Sequence, residues 1–171
     1  MEAKSIESLA EELGRAAREH GARIATAESC TGGMLAKRIT DIPGSSAVFE
    51  TGCVTYANCV KERLLGVPHE TLVTYGAVSE QTARAMAEGI VRESGADIGV
   101  GITGIAGPDG GTEEKPVGLV YIALSDGKNT WVAKRQPMGR LKFREWHRHC
   151  AASKALDMVR RYLAGLPVDE A

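Results

Sequence analysis

The sequence predicts an α/β domain whose mixed, mostly parallel sheet is covered by helices on both faces. Three observations lead there. Short apolar runs alternate with segments of helical spacing, glycine or proline marks nearly every transition, and the length is that of one domain. With 171 residues, 43% of them hydrophobic, the chain can bury about 70% of the surface its unfolded form exposes. One domain over residues 1–171 is therefore expected, with no disulfide or metal needed to hold it.

The elements follow in order. Ile6, Leu9, Leu13, Ala16 and Ala17 have helical spacing that stops at Gly21, and the apolar run Ala22 to Ala27 then reads as a strand. A second helix follows Gly33, carrying Met34, Leu35 and Ile39 before Pro43, and a second strand lies near Gly52 to Tyr56. Asn58 is placed to cap a short helix, Cys59 to Leu65, closed by Gly66 and Pro68, which leaves His69 in a turn. Ser79 caps a longer helix whose apolar face is Ala83, Met86, Ala87, Ile90 and Val91, ending at Gly95. A strand follows at Ile98 to Ile102. Val117 to Leu124 and Thr130 to Gln136 flank Asp126-Gly127, a hairpin signal, so these two strands should pair antiparallel. The last helix, about Phe143 to Ala164, buries Ala152, Leu156, Val159 and Leu163.

Composition removes several classes of function. Lys plus Arg number 21 against 22 Asp plus Glu, and the aromatics are two Trp, four Tyr and two Phe. Near-neutral charge and so few rings argue against a nucleic-acid partner. No apolar run approaches membrane-spanning length, so no membrane partner is expected. Met1 to Leu9 lacks a basic segment followed by an apolar stretch, which points away from secretion and to the cytoplasm. Cys30, Cys53, Cys59 and Cys150 form no CxxC, and His147 and His149 make only a loose HxH, so no zinc site is expected and the thiols read as small hydrophobes. From Trp131 onward, Lys134, Arg135, Arg140, Lys142, Arg144, Arg148, Lys154, Arg160 and Arg161 face only Glu145, Asp157, Asp169 and Glu170. That excess fits either a solvated helix face or an anion-binding role.

In α/β sheets ligands bind beyond the carboxyl ends of the strands. Three segments begin there: Glu28 to Gly33, Tyr56 to Lys61, and Thr103 to Gly111. In the first, a strand turns sharply into a helix, which would expose Ser29 as a nucleophile with helix-start amides as an oxyanion site. The simpler alternative is that Ser29 or Thr31 only caps the helix. No histidine offers an obvious base for that serine. Lys61, in the first turn of its helix, would have its ammonium disfavoured by the helix dipole and by any burial, and Tyr56 could relay a proton or position the amine. An exposed lysine and a half-buried strand tyrosine are the plainer readings.

The third segment, GVGITGIAGPDGG from Gly99, formally satisfies GxGxxG. A dinucleotide site is rejected, because the first two glycines fall inside a strand and no proper helix opens after Gly104. What remains is either an ordinary connection or a loop whose amides approach an anion or another ligand. Asp109, Glu113 and Glu114 read as a solvated acidic turn rather than a divalent-metal site. Arg144 and Arg148, one helical turn apart, could share a phosphate or form surface ion pairs.

Taken together, ATAESCTGG (25–33), ITDIPGSSAVFETGCVTYAN with Lys61 (39–61), YGAVSE (75–80) and GITGIAGPDGGTEEKPVGLVYIA (101–123) resemble the CinA carboxy-terminal domain family, close to its stand-alone members, the nicotinamide mononucleotide amidohydrolases of the PncC type. The resemblance implies a three-layer α/β/α sandwich. It also implies hydrolysis of the carboxamide of nicotinamide mononucleotide, yielding nicotinate mononucleotide and ammonia, with no metal and no cofactor. By the same resemblance Ser29 is the nucleophile, Lys61 its base and Tyr56 an assistant. Cys30, Thr31, Gly32 and Gly33, with Thr103, Gly104, Ala106 and Gly107, would hold the substrate, and Arg144 and Arg148 fit basic positions near the last helix. The stretch 139–143 departs from the usual spacing before that helix. The resemblance further implies a homo-oligomer, a dimer, and the additional amino-terminal domain of larger relatives is not expected. Two other classes stand beside this one: a nucleotide-binding protein that does not consume its ligand, and a competence- or DNA-damage-associated protein.

Overall fold

Each helix of the computed structural model starts and stops where local chemistry allows. Residues 5–136 and 143–169 are described; residues 139–142, with Arg140 and Lys142, lie outside them, as do Glu170 and the first four residues of the amino-terminal segment. Helix α1 (Ile6–His20) opens with Ser5 accepting from the Ser8 amide and closes on Gly21 in the left-handed conformation that costs glycine least. Strand β1 (Ile24–Glu28) is buried along its whole length. Helix α2 (Met34–Thr40) and a 3-10 turn (Ser45–Ala47) lead to β2 (Phe49–Val54). Helices α3 (Asn58–Leu65), α4 (His69–Tyr75) and α5 (Glu80–Ser94) follow, then β3 (Ile98–Gly104), the hairpin β4 (Val120–Ser125) and β5 (Thr130–Arg135), and α6 (Arg144–Leu163).

Four expectations are corrected. Asn58 is the first helical residue of α3, and the cap is Ala57, which makes no side-chain capping bond. His69 does not sit in a turn; it begins α4, a helix short enough, and irregular enough in its apolar spacing, to hide behind Pro68. Strand β2 starts three residues earlier and ends two residues earlier than Gly52 to Tyr56, so Tyr56 falls beyond it. Strand β4 starts later than Val117, because Pro116 and Gly118 still belong to the preceding turn.

The sheet order is β2-β1-β3-β4-β5. Strand β1 pairs parallel to both β2 and β3, whereas β4 runs antiparallel to β3 and β5, so only β4 opposes the common direction. The hairpin turn is built as its sequence demands: Asp126 Oδ1 accepts from the Lys128 and Asn129 amides, and Gly127 takes a positive φ.

Alternation along β3 sorts the two faces. Ile98, Val100 and Ile102 enter the core shared with α1, α2 and α6, while Gly99 and Gly101 face α5. A Cβ on either glycine would lie 2.5 Å from a backbone carbonyl of α5, Ala87 O or Ala83 O, so the missing side chains set how closely helix and sheet approach. These strand glycines are therefore packing residues. A second cluster, with Ala25, Ala27, Leu65, Leu72, Met86 and Ile90, joins β1 to α3, α4 and α5 on that face. The result is a three-layer α/β/α sandwich. The carboxyl ends of β2, β1 and β3 lie side by side, which brings the three loops leaving them to one rim.

Candidate active site

Ser29 is the first residue after β1, and its amide is tied to Ile102 O of the neighbouring strand at 3.0 Å. The turn that follows is fixed from inside the sheet. Buried Glu28 accepts from the amides of Gly33 (3.1 Å), Leu35 (3.1 Å) and Ala36 (2.9 Å), placing a carboxylate on the open end of α2. Neither Ser29 nor Thr31 caps that helix, whose cap position is Gly33 at φ 92° without a side-chain bond. The Ser29 hydroxyl is left free to face elsewhere.

It faces Lys61. The amine lies 3.2 Å from Ser29 Oγ and donates to Thr55 O at 2.8 Å and Tyr56 O at 3.1 Å. Lys61 is 1% exposed and Ser29 9%, so the plainer reading of an exposed first-turn lysine does not hold. Burial lowers the Lys61 ammonium below the ordinary lysine range. An uncharged amine has two N–H groups and one lone pair. In that form the two carbonyls would take the N–H groups and the lone pair would face the serine hydroxyl.

Tyr56 is 59% exposed, not half-buried in a strand. Its backbone carbonyl is what meets Lys61. The phenol turns outward and accepts from Arg144 Nη2 at 3.0 Å, while Arg144 Nη1 donates to Gly107 O at 2.9 Å. Arg144 thus spans the cleft between the loops after β2 and β3. That cleft has a volume of about 300 Å³ and is lined by Ser29, Cys30, Tyr56 and Lys61, by Ala77 and Val78, by Thr103 to Gly107, and by Asp109, Gly110 and Arg144.

Thr31, Gly32 and Gly33 are not among its lining residues. Thr31 is buried, Gly32 closes a turn onto Ser29 O, and Gly33 donates to Glu28. Arg148 does not reach the cleft either; it donates twice to Thr31 O, at 2.8 and 3.3 Å. Ser29, Gly32 and Gly33 have committed amides, whereas those of Cys30 and Thr31 donate to no oxygen of another described residue. Thr103 lines the cleft but its hydroxyl donates to Ala77 O at 2.7 Å, fastening the 77–78 turn to β3. Burial pushes the Cys30 thiol up to about 11, so it stays protonated beside the serine.

Sequence reasoning assigned no role to Glu28, Thr55, Ala77, Val78 or His147. A carboxylate immediately before the candidate serine and a few residues ahead of a helix start was the available signal for Glu28. Thr55 and Ala77 act through backbone carbonyls, which leave no trace in residue type. Among the described residues, no three His, Cys, Asp or Glu side chains are grouped to hold a metal ion, and no helix is long and apolar enough to cross a membrane. Much of the carboxy-terminal basic excess is engaged locally: Arg135 and Lys154 pair with Asp169, and Arg160 with Asp157 and Glu12.

The fold and the site define a class: small three-layer α/β domains holding a buried amine against a serine hydroxyl at the carboxyl rim of the sheet. The chain belongs to the CinA C-terminal domain family, whose match runs over residues 6–163. A CinA-like protein of Desulfovibrio desulfuricans is 62% identical over 152 residues, covering 89% of this chain but 36% of its own length, so the chain spans just over a third of that relative. Among solved structures, the competence/damage inducible protein CihA of Agrobacterium tumefaciens superposes with a TM-score of 0.89 at 43% identity, covering 96% of this chain and 98% of that one. A CinA superfamily protein of Klebsiella pneumoniae gives 0.89 at 33% identity, covering 95% and 99%.

Proposed function

We propose that this chain is an amidohydrolase that cleaves the carboxamide of nicotinamide mononucleotide through a serine nucleophile with a lysine base. The observation that carries the reading is the Lys61 amine, buried and 3.2 Å from Ser29 Oγ on the wall of a cleft. The motif resemblance supplies the substrate. Neutral Lys61 takes the Ser29 proton as Oγ attacks the carboxamide carbon, and the Cys30 amide, which donates to no oxygen of another described residue, serves as a donor for the oxyanion. Collapse breaks the C–N bond, the proton held by Lys61 passes to the leaving nitrogen, and ammonia departs. Water then cleaves the acyl ester and returns a proton to Ser29. Arg144, a fixed cation at the mouth, suits the substrate phosphate, and the Ala106 and Gly107 amides, which donate to no oxygen among the described residues, suit its polar groups.

The test is ammonia release and product mass from purified protein incubated with nicotinamide mononucleotide, with and without chelator. The expected product is heavier by about one dalton, because OH replaces NH₂ in the acyl transfer. Ser29→Ala should lower turnover by about 10³-fold or more with the fold intact, and chelator should change nothing. Unaltered substrate mass after prolonged incubation would instead leave a protein that binds its nucleotide without consuming it.

A further inference from the structure

A histidine that the proposed chemistry does not use is buried beside the cleft. His147, in the first turns of α6, is 3% exposed, and its Nδ1 lies 2.8 Å from Ala106 O. A carbonyl oxygen only accepts, so Nδ1 must carry the proton. The ring packs on Gly118, where a Cβ would stand 3.0 Å from Nε2, and Gly118 in turn donates to Ile105 O at 2.7 Å. One turn earlier on the same helix, Arg144 donates to Gly107 O at 2.9 Å. Consecutive carbonyls of the substrate loop are thus held by side chains three residues apart, the spacing that puts them on one helix face.

We propose that His147 is a positioning residue: through the Nδ1–H bond to Ala106 O it sets the course of the loop 104–107 and so the placement of the Ala106 and Gly107 amides in the cleft. The inference rests on the hydrolase reading for its kinetic consequence but not for its structural one. Arg144 holds Gly107 through a bond that is only partly buried; His147 supplies the buried half of the grip, where a hydrogen bond is worth more.

The experiment has an arm that needs no activity. In wild-type protein, long-range ¹H–¹⁵N correlation of the His147 ring should show the Nδ1–H tautomer, and hydrogen exchange should show protection at the bonded amides of the segment 105–118, Ile105 on Leu119 O and Gly118 on Ile105 O. His147→Phe, which keeps a ring but has no donor, should speed exchange of that segment about tenfold. His147→Asn, whose amide nitrogen falls near the Nδ1 position, should restore protection. In the kinetic arm, His147→Phe should raise KM for nicotinamide mononucleotide about tenfold with kcat nearly unchanged, and His147→Asn should recover most of it. An Nε2–H tautomer in wild-type protein, or wild-type exchange and KM in folded His147→Phe, overturns the proposal, and the tautomer decides it even where the variant does not fold. Wild-type protein that releases no ammonia refutes the hydrolase reading while leaving the tautomer and exchange arm standing.

Discussion

Lys61 meets two demands with one device, because burial also keeps it from holding a proton for long. Full burial without an acidic partner favours the neutral amine, and the carbonyls of Thr55 and Tyr56 satisfy its N–H groups without adding negative charge. The folded pKa is lowered, so the unfolded chain binds more protons than the folded one between that value and about 10.4, and stability rises with pH across that window. Activity has the same sign for a different reason. A protonated amine cannot take the serine proton, so kcat/KM should increase about tenfold per pH unit on its acidic limb and level above the lowered Lys61 pKa. Lys61→Arg should lose about 10³-fold or more at every accessible pH, because a guanidinium keeps donors but never becomes a base. A pH–rate profile with no acidic limb below the ordinary lysine range, or an active Lys61→Arg variant, would remove the lysine from the mechanism. Cys30, with its thiol raised to about 11, should stay unalkylated at neutral pH while exposed Cys59 reacts.

At the level of elements, the serine turn depends on the end of α2. An open helix start would ordinarily offer its amides to an anion, yet Glu28 already occupies the amides of Gly33, Leu35 and Ala36. The start of α2 is therefore not the oxyanion site; of the free amides in this turn, only that of Cys30 belongs to a residue lining the cleft. Glu28→Gln places one NH₂ among amides that need acceptors, so at least one buried N–H loses its partner. We expect a loss of about 1–3 kcal/mol in urea unfolding, with kcat falling more than KM changes. Unchanged stability would mean the carboxylate is not what fixes the turn. Of this only the place of Glu28, just before the serine and a few residues ahead of a helix start, showed in the sequence, whereas much else in the fold was legible. Gly21, Ser79, Gly95 and Asp126-Gly127 mark their boundaries by local chemistry alone, and the observed α1, α5 and hairpin begin or end there. Helix α4 was missed because HETLVTY has too few apolar positions to show a period. The burial of Lys61 and His147 was missed for another reason: each belongs to a polar stretch of helix, and only packing against distant segments takes it from water.

Across the whole molecule, the cleft gathers residues from nearly the full length of the chain: Ser29 after β1, Lys61 in α3, Val78 before α5, Gly107 after β3 and Arg144 in α6. Resemblance could name some of these residues, but their meeting at one rim follows from the order β2-β1-β3, which puts three carboxyl ends side by side. A ligand seated among them touches segments from five parts of the chain, so its binding stabilises the folded domain as a whole. Its binding energy should then appear undivided in the melting temperature. Ser29→Ala, which removes the nucleophile but no wall of the cleft, allows this to be measured without turnover. At a concentration of nicotinamide mononucleotide 100 times its Kd, the folded state gains about 2.7 kcal/mol. For a domain of this size that corresponds to an increase in Tm of about 5–11 °C. The same ligand should shift Arg144→Ala less, because its phosphate loses the cation at the mouth. Differential scanning calorimetry decides the matter: a saturating ligand that leaves the Tm of Ser29→Ala unchanged does not occupy this cleft.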